Sequence, residues 1–227
     1  MKWIRIPKEN SIQPDKGSYS DWKQQIADEG QHQCVYCAIH DGHFGGLRNF
    51  HIEHYRPKSI DRFAELKNVI INLFYACPVC NTFKSDDWPA DPIDDLSIHC
   101  YPDPSLTDYS EIFSIEVENG TIIGNCLAAR YMVEKIYLNR PQLIMERRVR
   151  YLLSIEESLR LEISDMLKAG RDRIPSDDLV TFYEELTRLS NNLHAMRDAL
   201  DHVSPYREAD VERPPMPKKI RVKKEKV

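Results

Sequence analysis

The apolar residues from Leu179 onward fall at Phe182, Leu186, Leu189, Leu193, Met196, Leu200 and Val203, in steps that alternate between three and four. That spacing predicts a long helix with one apolar stripe. Leu152, Ile155, Leu159, Ile163 and Met166 form a matching stripe on a helix expected from about Gln142 to Ala169, begun after Pro141 and stopped by Gly170. The two helices are expected to pack as an antiparallel pair, serving as structural core or as a docking surface for a partner. A shorter helix over Leu127–Leu138 breaks at Asn139-Arg140-Pro141.

Upstream the period changes to two. Phe113, Ile115 and Val117 alternate up to Asn119-Gly120, and Thr121-Ile122-Ile123 follows, which predicts a tight hairpin covering one side of the region before it. Residues 34–88 read as short strands and loops. Ser20 is the expected N-cap of a short helix that buries Trp22 and Ile26 and closes near Gly30. Together these elements predict an α+β chain: a lead-in over 1–30, a small domain with its hairpin over 31–125, a helical region over 126–205 and a basic, disordered tail over 206–227.

Composition adds little to this picture, and charge adds one point. The 227 residues are 41% hydrophobic, enough for a buried core, and no apolar run has the length of a signal peptide or membrane span. The expectation is a soluble cytoplasmic protein that does not engage a membrane. The net charge of -5 hides an asymmetry, because residues 211–227 hold seven Lys or Arg against two Glu. Such a tail can touch a phosphate backbone, or simply aid solubility.

Six cysteines without a secretion signal favour metal binding over disulfides. Cys34-Val35-Tyr36-Cys37 and Cys77-Pro78-Val79-Cys80 are two Cys-x-x-Cys pairs, a donor set suited to tetrahedral Zn²⁺. Four sulfur ligands leave no open coordination position, so the expected zinc is structural and clamps the ends of the insert between the pairs. Cys100 and Cys126 have no partner pattern and read as buried thiols.

Inside the insert lies His51-Ile52-Glu53-His54-Tyr55-Arg56-Pro57-Lys58, with a carboxylate beside an imidazole. Hydrolysis of a phosphodiester needs a nucleophilic water, a base and a divalent cation, and Glu53 with His54 can supply ligand and base. In a regular strand the two would face opposite sides, so a bend is expected there, and without it His51 becomes the rival ligand or base. Asn81 follows the second cysteine pair, and its amide oxygen suits Mg²⁺ or Mn²⁺. Lys84 lies one turn further on and, with Arg56 and Lys58, is a candidate phosphate contact. His32, His40 and His43 read as incidental surface histidines.

The whole string, Cys34-x-x-Cys37, Glu53-His54 with Pro57, Asn72-Leu73 and Cys77-x-x-Cys80-Asn81-x-x-Lys84, resembles the zinc-stapled form of the HNH endonuclease motif. The resemblance implies a ββα-metal fold in which Glu53 and Asn81 hold the catalytic divalent ion, His54 is the general base and Asn72 orients the loop. Asn81 stands where many members have His, and Glu53 where many have Asp. From the insert to about residue 150, the order of hairpin and of the helix containing Leu138-Asn139-Arg140-Pro141 is similar to the HNH component of Septu-type bacterial antiviral systems. That likeness implies an ABC-type ATPase partner and action on invading nucleic acid, DNA ahead of RNA. The competing expectation is a zinc-stabilised nucleic-acid-binding or scaffold subunit without catalysis, in which Glu53 and His54 are merely hydrogen-bonded.

Overall fold

The computed structural model describes residues 3–171 and 179–202, which fall into two compact units. The first comprises 3–116 and 121–140, and the second comprises 117–120 together with the described residues from 141 onward. The division therefore falls at Arg140, and the helix after Cys126 belongs with the first unit. The fold is α+β, with small antiparallel sheets and a C-terminal helical region.

In the first unit, α1 (Lys23–Glu29) extends a 3-10 turn at Tyr19–Trp22. The cap is Ser18, two residues before the expected Ser20, and its N–H donates to Asp21 Oδ2 at 2.8 Å. Trp22 and Ile26 are buried and Gly30 follows the last turn.

Strand β1 (His51–His54) pairs antiparallel with β2 (Leu73–Ala76), in the register His51 to Ala76 through His54 to Leu73. All four β2 residues are buried, so the strand is covered on both faces. Helix α2 (Pro78–Lys84) leaves β2 through Cys77 alone, with proline at its first position, where a missing N–H costs nothing. This β1–β2–α2 arrangement places the end of one strand beside one helix face.

A short helix α3 (Tyr109–Ile112) leads into the hairpin of β3 (Phe113–Glu116) and β4 (Thr121–Gly124). The register pairs Glu116 with Thr121, so the connection has four residues and is looser than a two-residue turn. Phe113 packs against Trp3 with ring centres 5.2 Å apart and tilted by 40°, and Trp3 Nε1 donates to the Tyr36 carbonyl at 2.9 Å, so the hairpin covers the cysteine region through Trp3. Helix α4 (Leu127–Lys135) packs on β4 where Gly124 has no side chain: a Cβ there would lie 2.4 Å from Arg130 N. Cys100 is buried, whereas Cys126 is half-buried and caps α4, its Sγ accepting from Ala129 N at 3.4 Å.

The second unit is built on α5 (Pro141–Arg171) and α6 (Leu179–His202), which pack against each other. An ion pair of 3.3 Å between Glu156, at the middle of α5, and Arg197, late in α6, fits the antiparallel arrangement that the stripes require. Leu189 is buried, and Leu152, Ile155, Leu159, Phe182, Leu186 and Leu193 are half-buried between polar flanks. Helix α5 is described to Arg171, one residue past the Gly170 at which the sequence places its end. Val203 and residues 206–227 lie outside the described residues. No helix among the described residues is long and apolar enough to cross a membrane.

Candidate active site

The ligand atoms of Cys34, Cys37, Cys77 and Cys80 lie within 4.8 Å of one another, and all four residues are buried. Cys37 Sγ and Cys77 Sγ are 3.8 Å apart. Tetrahedral zinc with bonds of about 2.3 Å requires sulfur–sulfur edges of about 3.8 Å, so the donor set fits the ion in chemistry and in size. Each pair is shaped by its own turn. At the first, Ala38 N donates to the Cys34 carbonyl at 2.8 Å and Ala38 takes a left-handed φ of 54°. At the second, Cys77 Sγ accepts from Cys80 N at 3.4 Å and so caps α2.

Two residues tie this cluster to its surroundings in ways the spacing does not reveal. Tyr36, between the first two cysteines, sends its hydroxyl to Glu53 Oε1 at 3.1 Å. Arg140 places its guanidinium against the sulfurs, with contacts of 3.5–3.8 Å to Cys37, Cys77 and Cys80. His32 is not an incidental surface group either: Nδ1 meets Asp41 at 2.9 Å and Nε2 meets Asp28 at 3.1 Å.

The β1–β2–α2 element carries a cleft of about 340 Å³ lined by Ile52, Glu53, His54, Pro57, Lys58, Ser59, Asn81, Ser85 and Asp86. Glu53, His54 and Asn81 thus meet at one opening. The bend comes at Tyr55–Arg56, after the strand has ended, and both Glu53 and His54 still reach the cleft because they stand at that end. Ser59, Ser85 and Asp86 line it too, though no motif marks them. This arrangement of cysteine pairs, strands and helix lies within a single stretch of chain. Residues 34–87 match the family model for HNH endonucleases. No curated protein and no solved structure matches the chain.

Within the HNH domain the side chains have distinct environments. His54 Nε2 lies 3.0 Å from the Lys67 carbonyl, an acceptor, so this nitrogen carries the ring proton and Nδ1 keeps its lone pair. Burial pushes the imidazole down to about 4, with Lys58, Lys84 and Lys67 adding to the effect against the Lys67 carbonyl, so the ring is neutral at pH 7. Tyr19 packs edge-on against it, with ring centres 4.7 Å apart.

Glu53 is only 3% exposed. Burial pushes its carboxyl up, while Lys84 and the Tyr36 hydroxyl, both on Oε1, pull it down. Lys84 is fully buried, with Nζ 2.7 Å from Glu53 Oε1 and 3.2 Å from the His54 carbonyl. A phosphate-contacting Lys84 is therefore a poor reading of this site, because the ammonium points into the protein.

Asn72 is buried and braces the loop after β1: Oδ1 accepts from Arg56 N at 2.8 Å, and Nδ2 donates to Arg56 O at 3.0 Å and Leu66 O at 3.4 Å. Arg56 is half-buried with its guanidinium over Phe63, at 5.8 Å from the ring centre, and does not line the cleft. Lys58 is exposed on the rim and donates to the Tyr19 hydroxyl at 2.7 Å. Exposed His51 stands outside the cleft lining, with Nδ1 3.1 Å from Asn81 Nδ2. If His51 accepts that hydrogen bond, the Asn81 amide oxygen is turned away from it and left for another partner.

Proposed function

We propose that the chain is a metal-dependent endonuclease whose HNH domain hydrolyses phosphodiester bonds at the cleft of Glu53, His54 and Asn81. The observation that carries this reading is the state of His54: a neutral imidazole, held at Nε2 by a backbone carbonyl so that Nδ1 keeps its lone pair, on a residue that lines one cleft with a carboxylate and an amide. A general base needs a fixed orientation and an unprotonated lone pair, and His54 has both at pH 7, although the burial that keeps it neutral also makes it a weaker base than a solvated imidazole. Glu53 and Asn81 would hold a hard divalent cation, Mg²⁺ or Mn²⁺. Among the described residues both polar contacts of the Glu53 carboxylate fall on Oε1, which leaves Oε2 for that ion. Bound there, the cation would neutralise charge on the scissile phosphate and leaving oxygen.

His54 Nδ1 takes a proton from the attacking water, and Asn72 holds the loop whose carbonyl at Lys67 keeps the ring in register. Lys58, on the rim, is the phosphate contact best placed by exposure. We further propose DNA ahead of RNA as substrate and a cytoplasmic antiviral role with an ABC-type ATPase partner. Support for that setting is the likeness of residues up to about 150 to Septu-type HNH components.

The test incubates purified protein with plasmid DNA and with structured RNA, with Mg²⁺ or Mn²⁺, beside His54→Ala. Loss of a general base should lower the rate by about 10²- to 10⁴-fold. Cleavage by His54→Ala at the wild-type rate would remove the assignment of the base.

A further inference from the structure

Arg140 stands 60 residues beyond the last cysteine of the cluster, yet its side chain ends on the sulfurs. Nη1 lies 3.5 Å from Cys80 Sγ, and Nη2 lies 3.5 Å from Cys80 Sγ, 3.7 Å from Cys77 Sγ and 3.8 Å from Cys37 Sγ. Among the described residues its one further side-chain partner is the Tyr137 carbonyl at 3.3 Å, and Nε is buried without an acceptor. The residue is 5% exposed, and among the described residues no carboxylate pairs with it.

A guanidinium in that position is costly unless something nearby is negative, since a buried unpaired charge loses its hydration without compensation. Neutral thiols do not offset that cost. Four thiolates around Zn²⁺ carry a net charge of about -2, and one cation with a planar fork of donors offsets half of it while bonding several sulfurs at once.

We propose that Arg140 is the charge-compensating clamp of the zinc cluster, holding the metal and shielding three thiolates from electrophiles. This rests on the reading of the four cysteines as a zinc site. N–H···S bonds draw electron density from each thiolate lone pair, so attack by an electrophile slows and the metal is retained. Arg140 is not among the residues that line the cleft, so its role is to support the metal and not the chemistry.

The experiment uses the full chain as wild type, Arg140→Gln and Arg140→Lys. Metal content is first measured by elemental analysis, and folding by circular dichroism. Zinc affinity is measured by competition with a chromophoric chelator, and zinc loss is then followed during reaction with N-ethylmaleimide. In that reaction a thiolate sulfur bonds an alkene carbon, the neighbouring carbon takes a proton from water, and zinc loses the ligand. Removing a residue that supports metal ligands costs roughly 10- to 100-fold in affinity. Arg140→Gln is expected to show that loss and a correspondingly faster release, with Arg140→Lys between it and wild type. If Arg140→Gln does not fold, the Lys variant decides, because it keeps the charge and loses the fork. Wild-type affinity and release rate in either folded variant overturns the proposal. Wild-type protein that carries no zinc overturns the zinc reading beneath it, a result separate from equal rates.

Discussion

Lys84 Nζ lies 2.7 Å from Glu53 Oε1, and neither side chain has meaningful contact with solvent. The pair joins the last turn of α2 to the end of β1, and it is aromatic on its other side, with the Tyr101 ring centre 5.3 Å from the ammonium. Removing one member of a buried pair strands the other charge and costs about 3–5 kcal/mol, whereas replacing both with apolar groups of similar size is often neutral. Lys84→Met should therefore lower the urea midpoint strongly, and the Lys84→Met/Glu53→Leu double variant should recover much of the loss. A Lys84→Met protein with the stability of wild type and a weaker affinity for DNA would restore the phosphate-contact role that its position on the helix suggests.

Lys84 also marks what one sequence can reveal. Spacing puts it on the same helical face as Asn81, but spacing does not say whether that face looks at solvent or at Tyr101 and Trp88. The two cysteine pairs were legible because metal chemistry dictates donor type and local turn together, whatever packs around them. The paired helices were legible because a stripe of apolar residues has few places to go. Arg140, Tyr36, Ser85 and Asp86 carry no such signal: each reaches its site only through the tertiary fold.

Asn72 makes three hydrogen bonds from one buried amide, accepting with Oδ1 and donating with Nδ2. Asn72→Asp keeps the acceptor for Arg56 N but turns a second oxygen towards two carbonyls. Each buried group left without a partner costs about 1–3 kcal/mol. The Asp variant should be at least as destabilised as Asn72→Ala, by chemical denaturation near pH 7, although it is the closer in shape. An Asp variant as stable as wild type would mean that the donors to Arg56 O and Leu66 O contribute nothing.

Asp87 gathers the hydroxyl of Tyr101 at 2.8 Å, the hydroxyl of Tyr131 and the ammonium of Lys135 at 3.0 Å. Burial pushes its carboxyl up, but the bonds from Tyr131, Lys135 and Tyr101 prevail and hold it below the usual carboxylate range. A group whose folded pKa is depressed stabilises the protein above its unfolded value, near 4, and loses that contribution as pH falls through the folded value. The stability gap between wild type and Asp87→Asn should then be constant from pH 7 to about 5 and shrink below about 4. Urea midpoints across that range measure it, and a gap that widens towards acid would contradict the assignment.

Gly120 has a φ of 77°, and a Cβ built on it would sit 2.5 Å from the Ile144 carbonyl oxygen. Its own carbonyl accepts from Arg147 Nη1 at 2.6 Å. Gly120→Ala therefore suffers twice, from left-handed backbone and from a close approach to main chain that no side chain can relieve. A loss of about 1–3 kcal/mol is expected, and an unchanged thermal midpoint would argue against this geometry.

The proposed second metal separates from zinc by ligand hardness, which makes the two sites testable in one protein. Manganese prefers carboxylate and amide oxygen, while the sulfur cluster prefers zinc, so zinc-loaded wild type should bind one further Mn²⁺, visible as loss of the free-ion signal in electron paramagnetic resonance. Glu53→Gln and Asn81→Ala each remove a proposed ligand and should weaken Mn²⁺ by roughly ten-fold or more, with zinc content unchanged. His51→Ala removes only the acceptor 3.1 Å from Asn81 Nδ2, so its effect should be smaller than either. Equal Mn²⁺ binding by wild type and both ligand variants would leave Glu53 as a structural partner of Lys84 and return the domain to a binding or scaffold role.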